Sequence, residues 1–239
     1  MERIGFTTGS LYRSDVAFDD VIRLYHSLGA TAIELSFATP TSLAAFELSP
    51  RLIDDTNKYS SISIHAPWKE VRYNSNTDTD AIIEKLKHLN ARLPVNGIVL
   101  HPDTIDDFSR LERSDLPFLM ENMDRRKSFG THPEHFEKLR KDYNFGFVFD
   151  TEHAYEHDPN MDLAIELINV MGKRLKHMHV SGCSNSEIHV PTHISDNREA
   201  VIKILELRIE VPKILEGILL ENISQTASEE LNFVRNYEK

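Results

Sequence analysis

The chain has 239 residues, is 40% hydrophobic and 27% charged, and carries a formal net charge of −11 with one cysteine, Cys183. That composition is ordinary for a globular protein, and its acidity argues against a broad sequence-independent grip on nucleic acid; a lone cysteine excludes an intramolecular disulfide and fits a reducing compartment, so a cytoplasmic location is expected. The opening MERIGFTTGS lacks the apolar core of a signal peptide, and no apolar run approaches the roughly 20 residues of a membrane helix.

Taken in order, short apolar runs alternate with stretches of helical period. Arg3–Thr7 reads as a strand, and Val16–Leu28 as a helix capped by Ser14 and stopped by Gly29. Ala30–Leu35 is the second strand, after which Ser49 and Pro50 open a helix. Ser61–His65 is followed by Asp80–Ala91, and Gly97–His101 by a shorter helix near Asp106–Glu112. Pro117–Glu121 precedes His135–Tyr143, which starts behind a capping-box pattern of Thr131 and Glu134. Phe145–Asp150 is followed by Met161–Met171, closed by Gly172. Leu175–Val180 leads to Arg198–Leu207, capped by Asp196, and Gly217–Glu221 to Glu229–Tyr237, capped by Ser228. Strands alternating with helices in this way indicate parallel βαβ units, and eight of them closed into a ring give a single α/β domain over residues 1–239, a (β/α)8 TIM barrel. An open doubly wound sheet would carry a glycine-rich turn after its first strand; here TTGSLYRSD has Gly9 alone.

Side chains alternate along a strand. Stepping back by two from each strand end puts His65 with Ser63, His101 with Val99, Glu121 with Leu119, Asp150 with Val148 and Gly146, Glu221 with Leu219, and Glu34 with Ala32. His177 and His179 share one face, whereas Phe145, Phe147 and Phe149 point the other way, toward helices. In a barrel these polar ends meet at the C-terminal mouth, where barrel enzymes place their chemistry. Imidazoles and carboxylates converging without a cation would repel or stay unpaired, so a metal centre is expected. Mixed His and carboxylate ligands suit Zn²⁺, Mn²⁺, Fe²⁺ or Co²⁺. More candidates than one tetrahedral site can use point to two or three ions bridged by carboxylates such as Glu121.

The motifs HAPW at 65–68, HPDT at 101–104, EN at 121–122, DTEHA at 150–154, MHV at 178–180 and LLEN at 219–222 resemble endonuclease IV and the wider xylose-isomerase-like barrels, which include sugar isomerases and epimerases. The resemblance follows strand order over nearly the whole chain. It implies a zinc centre of two or three ions, with His65, His101 and bridging Glu121 at the first; Glu121, Asp150, His179 and Glu221 at the second; and His153, His189 and Glu187 at the third. The family's Asp-x-His pair is Glu187-Ile188-His189 here, and His193 is a rival ligand or substrate contact. Ser181-Gly182 stands where the family has Asn-Asp, and residues 36–49, matching a DNA-gripping loop, hold no Lys or Arg. Trp68 and Glu34 are expected at the substrate pocket, His177 behind His179, and Arg125, Arg126 and Lys127 as an anion clamp.

Two reactions fit. One is hydrolysis of a phosphate ester or phosphodiester by metal-activated water. The other is isomerisation or epimerisation of a small sugar or sugar phosphate with one Mn²⁺ or Mg²⁺, Glu121 and Glu221 acting as base and acid. The expected partner is a small-molecule phosphate or sugar; DNA is possible but not favoured, and no membrane is expected.

Overall fold

A computed structural model describes residues 2–237. Eight parallel strands close a barrel in sequence order, with β8 returning to pair with β1. The strands are β1 (Ile4–Thr7), β2 (Ala32–Ser36), β3 (Ser61–His65), β4 (Gly97–Leu100), β5 (Phe118–Glu121), β6 (Gly146–Asp150), β7 (Leu175–Val180) and β8 (Lys213–Leu215). The helices are α1 (Phe18–Ser27), α2 (Pro40–Ala45), α3 (Pro50–Thr56), α4 (Thr77–Asn90), α5 (Phe108–Glu112), α6 (Pro133–Asp142), α7 (Thr151–His157), α8 (Asp162–Met171), α9 (Arg198–Leu205) and α10 (Ile223–Arg235). Among the described residues no helix is long and apolar enough to cross a membrane.

Seven strands lie where the alternation puts them, within one or two residues at either end. The eighth does not. Gly217–Glu221 is not a strand; β8 is Lys213–Leu215, immediately after Pro212. The apolar run 217–220 is a strap over the rim: Ile218 donates its backbone N–H to His189 O at 2.7 Å and Leu219 to Ser10 O at 2.9 Å, both in loops. Gly217 permits the turn out of the barrel, since a Cβ there would sit 2.5 Å from Pro191 Cα. Helix starts shift for equally local reasons. Ser14 donates its hydroxyl to Leu11 O instead of capping α1, which begins after Ala17. Asn76, whose Oδ1 accepts from Thr79 N at 2.8 Å, starts α4 a turn before Asp80. At α6 the cap position is His132, and His135 Nδ1 accepts from Thr131 N and His132 N. Asn197, not Asp196, precedes α9, and Ser228 lies inside α10.

The lumen is packed in two unlike halves. On the β4–β6 side Val99, Leu119 and Val148 form a small apolar cluster separate from the outer core. Leu119 fills space that Gly97 and Gly146 leave open; a Cβ at either would lie 2.3 or 2.4 Å from a Leu119 methyl. On the opposite side Thr7, Glu34, Ser63 and Gly97 are successive register partners across β1–β4, so Glu34 is level with the apolar floor yet wholly buried. Outside the ring Phe147 and Phe149 pack under the helices, Phe147 edge-on to Phe136 with ring centroids 5.4 Å apart.

Replacing Gly97 by Ala should overpack this floor and destabilise the fold by about 1–3 kcal/mol in urea denaturation. Adding Leu119→Ala should recover part of that loss, leaving the double variant more stable than the sum of the singles by at least about 0.5 kcal/mol. Strict additivity would show that the two positions do not share the space.

Candidate metal centre

Each ligand-type side chain is fixed by a neighbour that leaves one donor atom free. At the end of β3, His65 Nδ1 donates to Ala66 O at 3.0 Å, which leaves Nε2 facing Glu121 Oε2 at 3.4 Å. His101, just past β4, brings its Nε2 within 3.2 Å of the same oxygen. Neither contact has hydrogen-bond geometry, and Glu121 Oε2 and His101 Nδ1 are both buried without a partner. Burial holds His101 below the usual histidine range, hence neutral. Asp150 ends β6 and caps α7: its Oδ1 accepts from His153 N at 2.7 Å, while Oδ2 is buried and unpartnered. Asn122 pins this corner. It accepts from Asp150 N at 2.6 Å, donates to Asp150 O at 2.9 Å, and offers its own carbonyl to His153 Nδ1 at 2.8 Å. The imidazole edge of His153 is thereby turned to the mouth.

His179 is central. Its Nδ1 lies 2.8 Å from Glu121 Oε1 and 3.3 Å from Glu216 Oε1, and its Nε2 faces Glu34 at 3.3 Å and His177 Nε2 at 3.2 Å. Ser63 donates its hydroxyl to Glu34 Oε2 at 2.8 Å. Burial alone would keep His179 neutral, but Glu216, Glu34 and Glu121 surround it and hold its pKa well above the usual value. His153 is likewise buried, yet Asp150, Glu121 and Glu152 hold it at about 9. Burial together with Asp150, Glu121 and Glu34 drives Glu216 well above the carboxylate range. Protons on histidines and on Glu216 are what a mouth with surplus carboxylates must recruit when it lacks positive charge.

Four groups of side chains bring ligand atoms within 4.8 Å of one another: Glu34, His177 and His179; His65, His101 and Glu121; Glu152, His153 and His189; and Glu121, Asp150, His179 and Glu216. Unpartnered buried oxygens on Glu121 and Asp150 and free imidazole nitrogens match the donor set of a mixed His–carboxylate metal site. Glu121 belongs to two groups, with one oxygen toward His65 and His101 and the other toward His179.

Several expected residues lie elsewhere. Glu221 is exposed on the strap; Glu216, the residue after β8 and in step with Ile214, supplies the carboxylate expected of it. The strand-parity argument would have found Glu216 had Pro212 been read as a strand start. Glu187 is at the tip of a loop closed by mutual backbone hydrogen bonds between Gly182 and Val190, and it pairs with Arg13 at 3.3 Å. His193 Nδ1 binds Glu230 Oε2 of α10 at 2.7 Å. Arg126 is tied to Asp124 at 2.6 Å and Lys127 to Asp103 at 2.9 Å, so their charges are already answered locally; Arg125 is exposed. Trp68 stacks over the mouth, its ring 4.6 Å from His65 and 5.7 Å from His101. A cavity of about 150 Å³ opens between Trp68, Tyr12, Ser36 and the ligand side chains, His153, His189 and Glu216 among them. Glu152 and Asn122 lie inside the motifs DTEHA and EN without being expected as site residues, and Ser181, noted as a departure from the family's Asn-Asp, has its Oγ 3.1 Å from His189 Nδ1.

No protein-family model matches the chain, and no curated protein matches it. Solved structures do. Endonuclease IV from Thermus thermophilus is 18% identical with a TM-score of 0.70, covering 98% of each chain. A D-psicose 3-epimerase with D-tagatose from Clostridium cellulolyticum H10 is 14% identical with a TM-score of 0.67 over 99% of each. A xylose isomerase domain-containing protein from Salmonella typhimurium LT2 is 16% identical with a TM-score of 0.65 over 99% of this chain and 97% of that one. The fold they share with this chain is the (β/α)8 TIM barrel.

Glu216→Gln should weaken metal binding by more than the 10- to 100-fold typical of losing a supporting contact, whereas Glu221→Gln should leave it unchanged. Competitive titration with a chromophoric chelator reads both; the reverse pattern would restore Glu221 to the site.

Proposed function

We propose that this chain is a zinc-dependent hydrolase of phosphate esters, acting on a small phosphomonoester or phosphodiester at the barrel mouth. The observation that carries the reading is Glu121. Its two oxygens face two different ligand groups, and a single-ion site of Glu121, Asp150, His179 and Glu216 would have no use for the His65–His101 pair. When bound, zinc ions in such an arrangement supply a Lewis acid that activates water and neutralises the departing oxygen. The chain's own residues do the rest. Ala66 O, Asn122 O and Glu34 orient the rings of His65, His153 and His179. Trp68 walls one side of the cavity, packed against His65 and His101. The likeness to endonuclease IV supports this chemistry, while a net charge of −11, a residue 36–49 segment without Lys or Arg, and cations already paired to Asp124 and Asp103 favour a small substrate over DNA.

The runner-up is a sugar isomerase or epimerase with one Mn²⁺ or Mg²⁺. It is favoured by the small cavity, lined by both Glu121 and Glu216, two carboxyl groups available as base and acid. Elemental analysis of protein purified without chelator separates the two, alongside assays on aryl phosphate mono- and diesters, on abasic-site DNA, and on ketoses in D₂O. More than one zinc ion per chain with ester hydrolysis is expected. At most one Mn²⁺ or Mg²⁺, with deuterium entering beside a ketose carbonyl, would replace hydrolysis by isomerisation.

Metal uptake should also release protons. His153, at about 9 in the metal-free protein, is protonated at pH 7.5 and must be neutral to ligate. Its raised pKa favours the metal-free fold fully below about 6.5 and loses that contribution as pH rises toward 9. Zinc added in dilute buffer at pH 7.5 should therefore acidify the solution, and affinity should fall as pH is lowered. A titration without proton release would remove His153 from the ligand set.

A further inference from the structure

The third ligand group contains a carboxylate that the family resemblance does not assign. Glu187, the residue aligned with the family's third-site acid, is exposed and engaged with Arg13, on the far side of the Gly182–Val190 closure from the mouth. His153 and His189 nevertheless face each other, ring centroids 5.7 Å apart. His189 reaches this position through a left-handed backbone, φ 52°, uncommon for a residue with a side chain and held in place by Ile218 N–H on its carbonyl at 2.7 Å.

Between Asp150 and His153 in sequence, in the first turn of α7, stands Glu152. Its side chain is wholly buried, and neither Oε1 nor Oε2 has a hydrogen-bond partner. An ionised carboxylate so placed is costly unless a cation meets it. Arg126 is bound to Asp124 instead. An oxygen of Glu152 and nitrogens of His153 and His189 lie within 4.8 Å of one another. His153 Nδ1 is occupied by Asn122 O, so its Nε2 is the free donor.

We propose that Glu152, His153 and His189 bind a divalent transition-metal ion, with Glu152 in the place of Glu187. The inference rests on the metal-dependent reading above. Two imidazoles and one carboxylate are the protein ligands of an open zinc-type site, which keeps a position for substrate. His153 and His189 both line the cavity, so this ion adds positive charge where an anionic group would enter.

The test is zinc stoichiometry and affinity, by elemental analysis and chelator competition, on the wild-type chain and on Glu152→Gln, Glu187→Gln, His189→Ala and Glu121→Gln. Glu152→Gln and His189→Ala should each hold one ion fewer than wild type, or bind the most weakly held ion at least about 10-fold less tightly, while Glu187→Gln matches wild type. Glu152→Gln keeps the size of a buried side chain that makes no hydrogen bond and should melt, metal-free, no lower than wild type; His189, half-buried, gives a second variant that does not depend on that outcome. Full retention of metal by Glu152→Gln, or loss in Glu187→Gln, overturns the assignment while leaving the Glu121-bridged ions in place. Wild-type and Glu121→Gln chains that both bind no zinc overturn the metal-dependent reading itself.

Discussion

Five carboxylates crowd one barrel mouth: Glu34, Glu121, Asp150 and Glu152, all buried, and the largely buried Glu216, from β2, β5, β6, α7 and the end of β8. Their mutual repulsion, in a place where water cannot screen it, is the constraint on which the rest of the site depends. The protein meets it in three ways. Histidines are interleaved, so that His179 sits among Glu34, Glu121 and Glu216, and His153 among Asp150, Glu121 and Glu152. Backbone donors take a share, as where Asp150 caps α7. The remaining oxygens are left unpartnered and converge, which is the arrangement a cation completes.

That constraint also explains the uneven lumen. A barrel floor lined wholly by Val99, Leu119 and Val148 would pack well but could not orient a metal-facing histidine from beneath. The β2–β3–β7 side instead carries Glu34, Ser63 and His177, a hydrogen-bonded layer whose function is to fix which nitrogen of His179 faces the mouth. The apolar half gives rigidity, and glycines at 97 and 146 make room for Leu119. The polar half gives orientation, at the cost of desolvating a carboxylate.

Much of this was legible in the sequence because period-2 alternation and strand order are local signals. His65, His101, Glu121, Asp150 and His179 follow from where each apolar run stops, and seven of the eight runs are strands. The misreading at β8 has a clear physical origin. Lys213–Leu215 offers three residues, too few to show alternation, whereas Gly217–Leu220 is the more apolar run and ends in LLEN. What makes the former a strand is pairing with β7 and β1, and what makes the latter a strap is bonding to two loops, neither of which the sequence displays. The third ligand group was illegible for a similar reason. Glu187 and His189 keep the spacing of the family's Asp-x-His pair, but His189 is left-handed and Glu187 is exposed and paired with Arg13.

Charge distribution then bears on substrate. Arg126 and Lys127 stand near the mouth in sequence but are paired with Asp124 and Asp103, and Arg13 with Glu187. None of these arginine or lysine side chains is left to supply positive potential at the cavity, which falls to the histidines and, in the proposed reading, to bound metal. A polymer with a regular array of phosphates needs contacts along its length, and an acidic body offers it few. A small ester needs only the reacting phosphoryl group neutralised, in a space of about 150 Å³ bounded by Trp68 and Tyr12. The unpartnered oxygen of Glu121 is likewise the observation on which the proposed hydrolase is preferred to a one-ion isomerase. With a single cation at Asp150, His179 and Glu216, that oxygen would stay buried between His65 and His101 without a hydrogen bond, a cost that a second ion removes.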